Sequence, residues 1–170
     1  MLNGEGKDIN GYGELMFEGE FLYNHRIKGK EYHKGILEYE GEYLYEKKWN
    51  GKGYDENHNI IYELINGNGK VKEYEYGKLK YEGEYINGKR NGKGKEYNYN
   101  GKLEYEGEYL NGKRNGNGKE YYNSGTLAYE GEYLNGERNG KGKEYYPNRK
   151  LKFEGIYLNG ESYERKWLWF

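Results

Sequence analysis

The 170-residue chain has no cysteine, one proline, three tryptophans and a single valine. Without cysteine there is no disulfide, no thiolate metal site and no cysteine nucleophile. One proline is too few for a proline-rich linker. Long apolar runs are missing too: none approaches the ~18 residues of a membrane span. The opening MLNGEGKDING lacks the apolar centre of a secretory signal. These absences lead us to expect a cytoplasmic protein. Charge of one sign is also lacking. The 28 Lys and Arg meet 29 Asp and Glu for a net charge of −1, so no bulk charge draws the chain to nucleic acid. Leu, Ile, Val and Phe together supply only 27 residues, whereas Gly, Tyr and Asn number 29, 24 and 20. A buried aromatic covers roughly 150–250 Å², so tyrosine replaces aliphatic side chains as core material.

A repeat organises these residues. Tyr-Glu-Gly-Glu-Tyr occurs at Tyr39–Tyr43, Tyr81–Tyr85, Tyr105–Tyr109 and Tyr129–Tyr133, with variants at Phe17–Phe21 and Phe153–Tyr157. The starts at 81, 105, 129 and 153 are 24 residues apart, and 17 and 39 are 22 apart. The interval of 42 from 39 to 81 fits two units if Tyr62 opens a degenerate one of 19 residues. Residues 3–17 align with 91–105, so the chain opens halfway through a unit, and ESYERKWLWF at its end drops the repeat signature. The expected organisation is one array without a domain boundary: a half unit at 3–16, then 17–38, 39–61, 62–80, 81–104, 105–128, 129–152 and a cap at 153–170.

Within a unit the period is two, the mark of a half-buried strand. Leu103, Tyr105, Gly107 and Tyr109 share one face; Glu104, Glu106 and Glu108 share the other. Asn111–Gly116 supplies turn residues that tolerate positive φ, and Lys119–Tyr122 reads as the second strand. Asn100-Gly101 and Ser124-Gly125 close the return. Each unit is therefore expected to be a β-hairpin. The fold class is all-β, an elongated single-layer antiparallel array of about thirteen strands, roughly 60 Å long at about 4.8 Å per strand. No segment shows a sustained helical period. The glycine between two inward rings calls for space, which a tilted ring would use. Leu15, Leu37, Ile60, Leu79, Leu103, Leu127 and Leu151 are expected to extend the aromatic face. A single layer with no helix over it leaves a concave, partly exposed aromatic trough.

Catalytic chemistry finds little support. The pairs Glu18/Glu20, Glu40/Glu42, Glu82/Glu84, Glu106/Glu108 and Glu130/Glu132 have the residue type of a glycosidase pair. They recur in nearly every unit, however, which marks architecture. Lys95, Lys119 and Lys143 are placed to face them across strands. His25, His33 and His58 form no metal-binding motif. Ser124 lies in a turn without GxSxG. The NGxG strings precede no helix, so they lack the dipole of a phosphate loop. We expect no enzyme, no cofactor and no metal.

The string YEGEYLNGKRNGNGKEYYNSG (Tyr105–Gly125) resembles the MORN repeat, whose hallmark is YEGxW/Y-x-NG-x-x-x-G-x-G followed by an aromatic strand and a return glycine. The resemblance covers about residues 3–160. The 24-residue spacing and the KEYY-x-x-G-x-L ending are similar to the variant of bacterial antitoxin-like MORN proteins. The resemblance implies a hairpin array acting as a scaffold, protein-binding module or membrane-associated organiser. Choline-binding cell-wall repeats are the nearest look-alike. They would demand frequent Trp-Tyr cages, and here two of the three tryptophans, Trp167 and Trp169, lie in the tail.

Two surfaces are candidates for binding. Tyr81, Tyr85, Tyr105, Tyr109, Tyr129 and Tyr133, joined by Tyr122 or Tyr146, would line the trough and hold a protein or peptide ligand as an extended strand or a helix. Arg26, Lys48, Arg90, Arg114 and Arg138, each nine residues after its repeat start, would form a basic edge of hairpin tips for an anionic membrane surface. An antitoxin or immunity role, carbohydrate binding on stacked tyrosines and an end-to-end homodimer through terminal strands complete the expectations. A fold-back plug at Trp167–Phe170 is a further one.

Overall fold

A computed structural model describes residues 2–75 and 77–163, and every regular element among them is a β-strand. The tail Trp167–Phe170 and the end of the expected cap lie outside the described residues. The chain divides into two compact units, Met1–Lys89 and Arg90–Phe170. In the first, β1 (Gly4–Ile9), β2 (Leu15–Leu22), β3 (His25–His33), β4 (Ile36–Leu44), β5 (Lys47–Tyr54) and β6 (Ile60–Leu64) pair antiparallel in strict chain order. β7 (Gly69–Glu75) and β8 (Lys78–Ile86) form a further hairpin. Between β6 and β7 the regular ladder gives way to the single bridge Ile65–Asn68. In the second unit, β9 (Lys89–Tyr97), β10 (Leu103–Leu110), β11 (Lys113–Tyr121), β12 (Leu127–Leu134), β13 (Glu137–Tyr145), β14 (Leu151–Leu158) and β15 (Glu161–Tyr163) follow the same order. Neither sheet closes into a barrel.

The hairpin turns are shorter than the sequence led us to expect. Asn111 and Gly112 alone turn the chain, with φ of 52° and 89°, and Leu110 already faces Lys113. Two consecutive positive φ values define the I′ turn that matches strand twist. Arg114, expected in a loop, therefore lies within β11, and Gly116 at φ 81° absorbs the extra residues as a bulge. Successive turns are tied together: Gly112 N–H donates to the Arg90 carbonyl at 2.8 Å, and Gly136 N–H to that of Arg114 at 2.8 Å.

A second irregularity recurs in every unit. Glu120 pairs with Tyr129 while Tyr121 pairs with Leu127, leaving Ala128 as an extra residue. The same slip isolates Met16, Glu38, Ile61, Lys80, Glu104 and Lys152. Each is the residue before a repeat start. A bulge of this kind breaks strict alternation, so Ala128 is buried beside Tyr129. It also corrects two expectations. Glu104 leaves the outer carboxylate row, and the leucine-type residues move to the opposite face. Leu127 pairs with Tyr121, whose hydroxyl donates to outward-facing Glu106 at 2.6 Å. Ile60 and Leu151 are accordingly about half exposed.

The core is a herringbone of rings. In the second unit Tyr105 meets Tyr109 and Tyr133 edge-on at 5.5 and 5.3 Å, and Tyr129 meets Tyr133 and Tyr157 at 5.5 and 5.0 Å. In the first unit Phe17 does the same with Phe21 and Tyr43. Such T-shaped pairs add roughly 0.5–1.5 kcal/mol each beyond area burial. The first ring of each repeat lies along its own strand, and the Tyr105 hydroxyl donates to the Glu108 carbonyl at 3.3 Å. To do so it crosses the facing glycines Gly107 and Gly118. A Cβ on Gly118 would strike that hydroxyl and come within 2.6 Å of two ring carbons.

This close fit sets the first prediction. Gly142→Ala would place a methyl group 2.6 Å from the Tyr129 ring and should destabilise the protein by ~1–3 kcal/mol. The measurement is the urea midpoint at unchanged denaturant slope. A midpoint like that of the parent would show that the ring is not held over the glycines.

Candidate functional site

The five cations expected along an exposed edge are not on one. Four of the side chains turn over the ring row: Arg26 lies 4.6 Å from the centre of Phe17, Lys48 4.8 Å from Tyr39, and Arg114 and Arg138 each 4.2 Å from Tyr105 and Tyr129. All five also meet carboxylates. In the second unit the order is Arg90–Glu96–Arg114–Glu120–Arg138–Glu144, with Arg90–Glu96 at 2.7 Å, Arg114–Glu120 at 3.6 Å and Arg138–Glu144 at 3.6 Å. The links Arg114–Glu96 and Arg138–Glu120 are closer charge-assisted contacts. In the first unit Asp8, Arg26, Glu31 and Lys48 repeat the pattern, at 2.9, 3.7 and 3.1 Å in turn. The cation side chains are 18–29% exposed. Strand pairing explains the inward course. Arg138 faces Tyr133 and Glu144 faces Tyr129 on neighbouring strands, so the charges share the ring face.

The tyrosine trough is corrected by the same geometry. Tyr81, Tyr105 and Tyr129 are 0% exposed, and Tyr109 and Tyr133 are 3% and 4% exposed. Interlocked rings and the overlying charge ladder seal them, and no helix is needed. Tyr85 is half-buried, with its hydroxyl donating to Glu73 at 2.5 Å. Tyr122 is half-buried, its hydroxyl donating to the Tyr145 carbonyl at 2.7 Å, and Tyr146 is exposed. On this face the second unit has a cleft of about 220 Å³. Glu104, Arg114, Glu120, Tyr122, Ala128 and Arg138 contribute to its walls. Two of these, Glu104 and Ala128, are the bulged residues, which alternation placed elsewhere. The signal that could have found them is the residue before each repeat start. Its neighbours repeat in kind while it runs Met16, Glu38, Ile61, Lys80, Glu104, Ala128, Lys152.

Protonation states follow from the ladder. Burial works against charge on Glu120, but hydrogen bonds from Arg138 and Tyr133 outweigh it and hold the carboxyl below its ordinary range. Burial pushes the Tyr129 hydroxyl up to about 12. On the opposite face a hydrogen bond from Tyr32, aided by Lys7, lowers Glu18. The recurrent carboxylate pairs are occupied there. Lys119 faces Glu106 and Glu130 across the two adjoining strands, Lys143 faces Glu130 and Glu154, and Lys95 faces Glu106.

Residues 81–102, 105–127 and 129–150 match the family model of the MORN repeat. The chain contains three MORN repeats. A search of curated proteins returns no matching relative. The match is to the MORN repeat in general and does not single out the antitoxin-like variant. MORN repeats are non-catalytic modules that generally mediate protein or membrane interaction. Here the matched segments contain the arginine–glutamate ladder and the glycine crossing, and the bulged cleft residues Glu104 and Ala128 fall in the gaps between them.

Glu38 gives a prediction with a definite sign. Burial raises its carboxyl above the ordinary value of 4.5, against smaller opposing effects of Lys48 and His33. A raised folded-state pKa means that the unfolded chain loses this proton first, so stability falls as pH rises through and above 4.5. Glu38→Gln should therefore raise the thermal midpoint at pH 7, and the gain should vanish below about pH 4. A lower midpoint at pH 7 would contradict the assignment.

Proposed function

We propose that the protein is a non-catalytic interaction module that holds an extended peptide along its ring-and-ladder face. The buried tyrosines form the floor. Contact comes from the residues above it: the ladder edges, Tyr122 and the bulged positions. One observation carries this reading. A single position on the ring face is bulged in every repeat, and it varies in size and charge from one repeat to the next. A constant frame presenting a different side chain at each step suits recognition of an extended partner, which offers its own side chains at regular intervals. In the second unit the sequence Glu104, Ala128, Lys152 gives an acidic, a small and a basic step, and Lys152 reaches Glu144 at 3.1 Å. Membrane recruitment through the five cations has weaker support, because each already meets a carboxylate in the fold.

The test is selection of binders from a random peptide library on the intact protein, followed by binding to two variants. Ala128→Arg fills the cleft and should weaken the selected peptides by tenfold or more, ~1.4 kcal/mol. Lys119→Ala, on the opposite face, should leave them unchanged. Circular dichroism of both should match the parent. Peptides that bind a folded Ala128→Arg protein at parental affinity would refute the reading.

A further inference from the structure

The shortened unit 62–80 omits one step of the charge ladder. In five repeats the second residue after the hairpin turn is a cation: Arg26, Lys48, Arg90, Arg114 and Arg138. After the Asn66-Gly67 turn that position is Gly69. The preceding strand lacks the matching carboxylate. Glu31 and Glu120 stand two residues after Gly29 and Gly118, whereas Gly53 stands two after Gly51. The Tyr62 ring occupies the second of these spaces, since a Cβ on Gly53 would run into it.

Above that ring lies a cleft of about 270 Å³, with Glu31, Glu38, Tyr62, Leu64, Glu73 and Tyr85 among its walls. The fields of Glu31, Glu38 and Glu73 all bear on the Tyr62 hydroxyl. Tyr105 and Tyr129, by contrast, each lie under a guanidinium at 4.2 Å. Two lysines also reach the cleft, and both have partners elsewhere. Lys48 is 3.1 Å from Glu31 and over Tyr39, and Lys72 faces Glu82 on the adjoining strand. Glu38 makes no hydrogen bond or ion pair with any described residue. A half-buried carboxylate with no hydrogen bond or ion pair among the described residues, beside an aromatic face, is complementary to a cation with a flat or apolar stem.

We propose that this cleft binds a guanidinium or alkylammonium group from outside the chain, which completes over Tyr62 the ladder that Arg114 and Arg138 complete over their own rings. Only the source of the cation, an arginine or lysine side chain of a bound peptide, rests on the function proposed above.

The experiment is a nitrogen–proton NMR titration of the intact protein with ethylguanidinium, and with ethylurea as its neutral counterpart. Ethylguanidinium should shift the amides of Gly53, Leu64 and Glu73 in a saturable manner, and ethylurea should not. Glu38→Gln combined with Glu73→Gln should weaken the response about tenfold. Glu104→Gln, at the aligned bulge of the second unit, should leave it intact. Equal shifts with ethylurea, no localised shifts, or an undiminished response of the double variant would overturn the proposal. Acetyl-Gly-Arg-Gly-amide separates the sources: tighter binding than ethylguanidinium assigns the cation to a peptide, and equal binding assigns it to a free small cation. Failure of the Ala128→Arg test with these shifts intact would sink peptide recognition and leave the cation site standing.

Discussion

Charge laid over aromatic rings is the constraint on which the rest of this structure depends. A guanidinium above a desolvated ring contributes about 2 kcal/mol or more, and here Arg26, Arg114 and Arg138 each also meet carboxylates from their own and a neighbouring hairpin. Burial of such ions works against them, and an apolar replacement of a buried ion pair is often neutral or stabilising. The ladder is therefore better understood as a device for register than as a source of net stability. If one strand slipped by a single residue, Arg138 would leave both Glu120 and the Tyr129 ring. The glycines serve the same end. They let the first ring of each repeat lie flat enough for the cation to reach its face, and so bring the charge row close to the sheet.

The shortened unit shows how far the plan can be varied. Its first strand ends at Leu64, which is 2% exposed and takes the place of a second ring, while Val71, 4% exposed, lies where other units carry glycine. The missing residues fall in the two strands of one hairpin, so alternation survives. The charge row does not survive. Gly53 and Gly69 remove one carboxylate and one cation together, which keeps the formal balance and leaves a space. A defect in a repeat that preserves pairing and deletes the surface layer is a natural origin for a binding cleft.

Much of the architecture was legible in the sequence. The period of two, the Asn-Gly turns and the spacing of Tyr-Glu-Gly-Glu-Tyr led to an all-β hairpin array, and the glycines were correctly assigned to ring clearance. The faces were read less well, because strict alternation has no room for a bulge. Leu103 and Glu104 changed sides for that reason alone. Arg114 was misplaced by a different cause. Asn111 to Gly116 look like a six-residue loop, yet two residues in the left-handed region complete the turn and return Arg114 to a strand. The tyrosines were expected to be open because no second layer was visible. The second layer is made of long charged side chains, whose aliphatic stems and flat head groups cover rings as well as a helix would.

The most direct measurement is a double-mutant cycle on urea unfolding with Arg138→Met, Glu120→Gln and the pair together. The account predicts a coupling of about 1.5 kcal/mol or more between the two positions. Additive effects, with a coupling below about 0.5 kcal/mol, would mean that the charge row decorates the sheet without holding its strands in register.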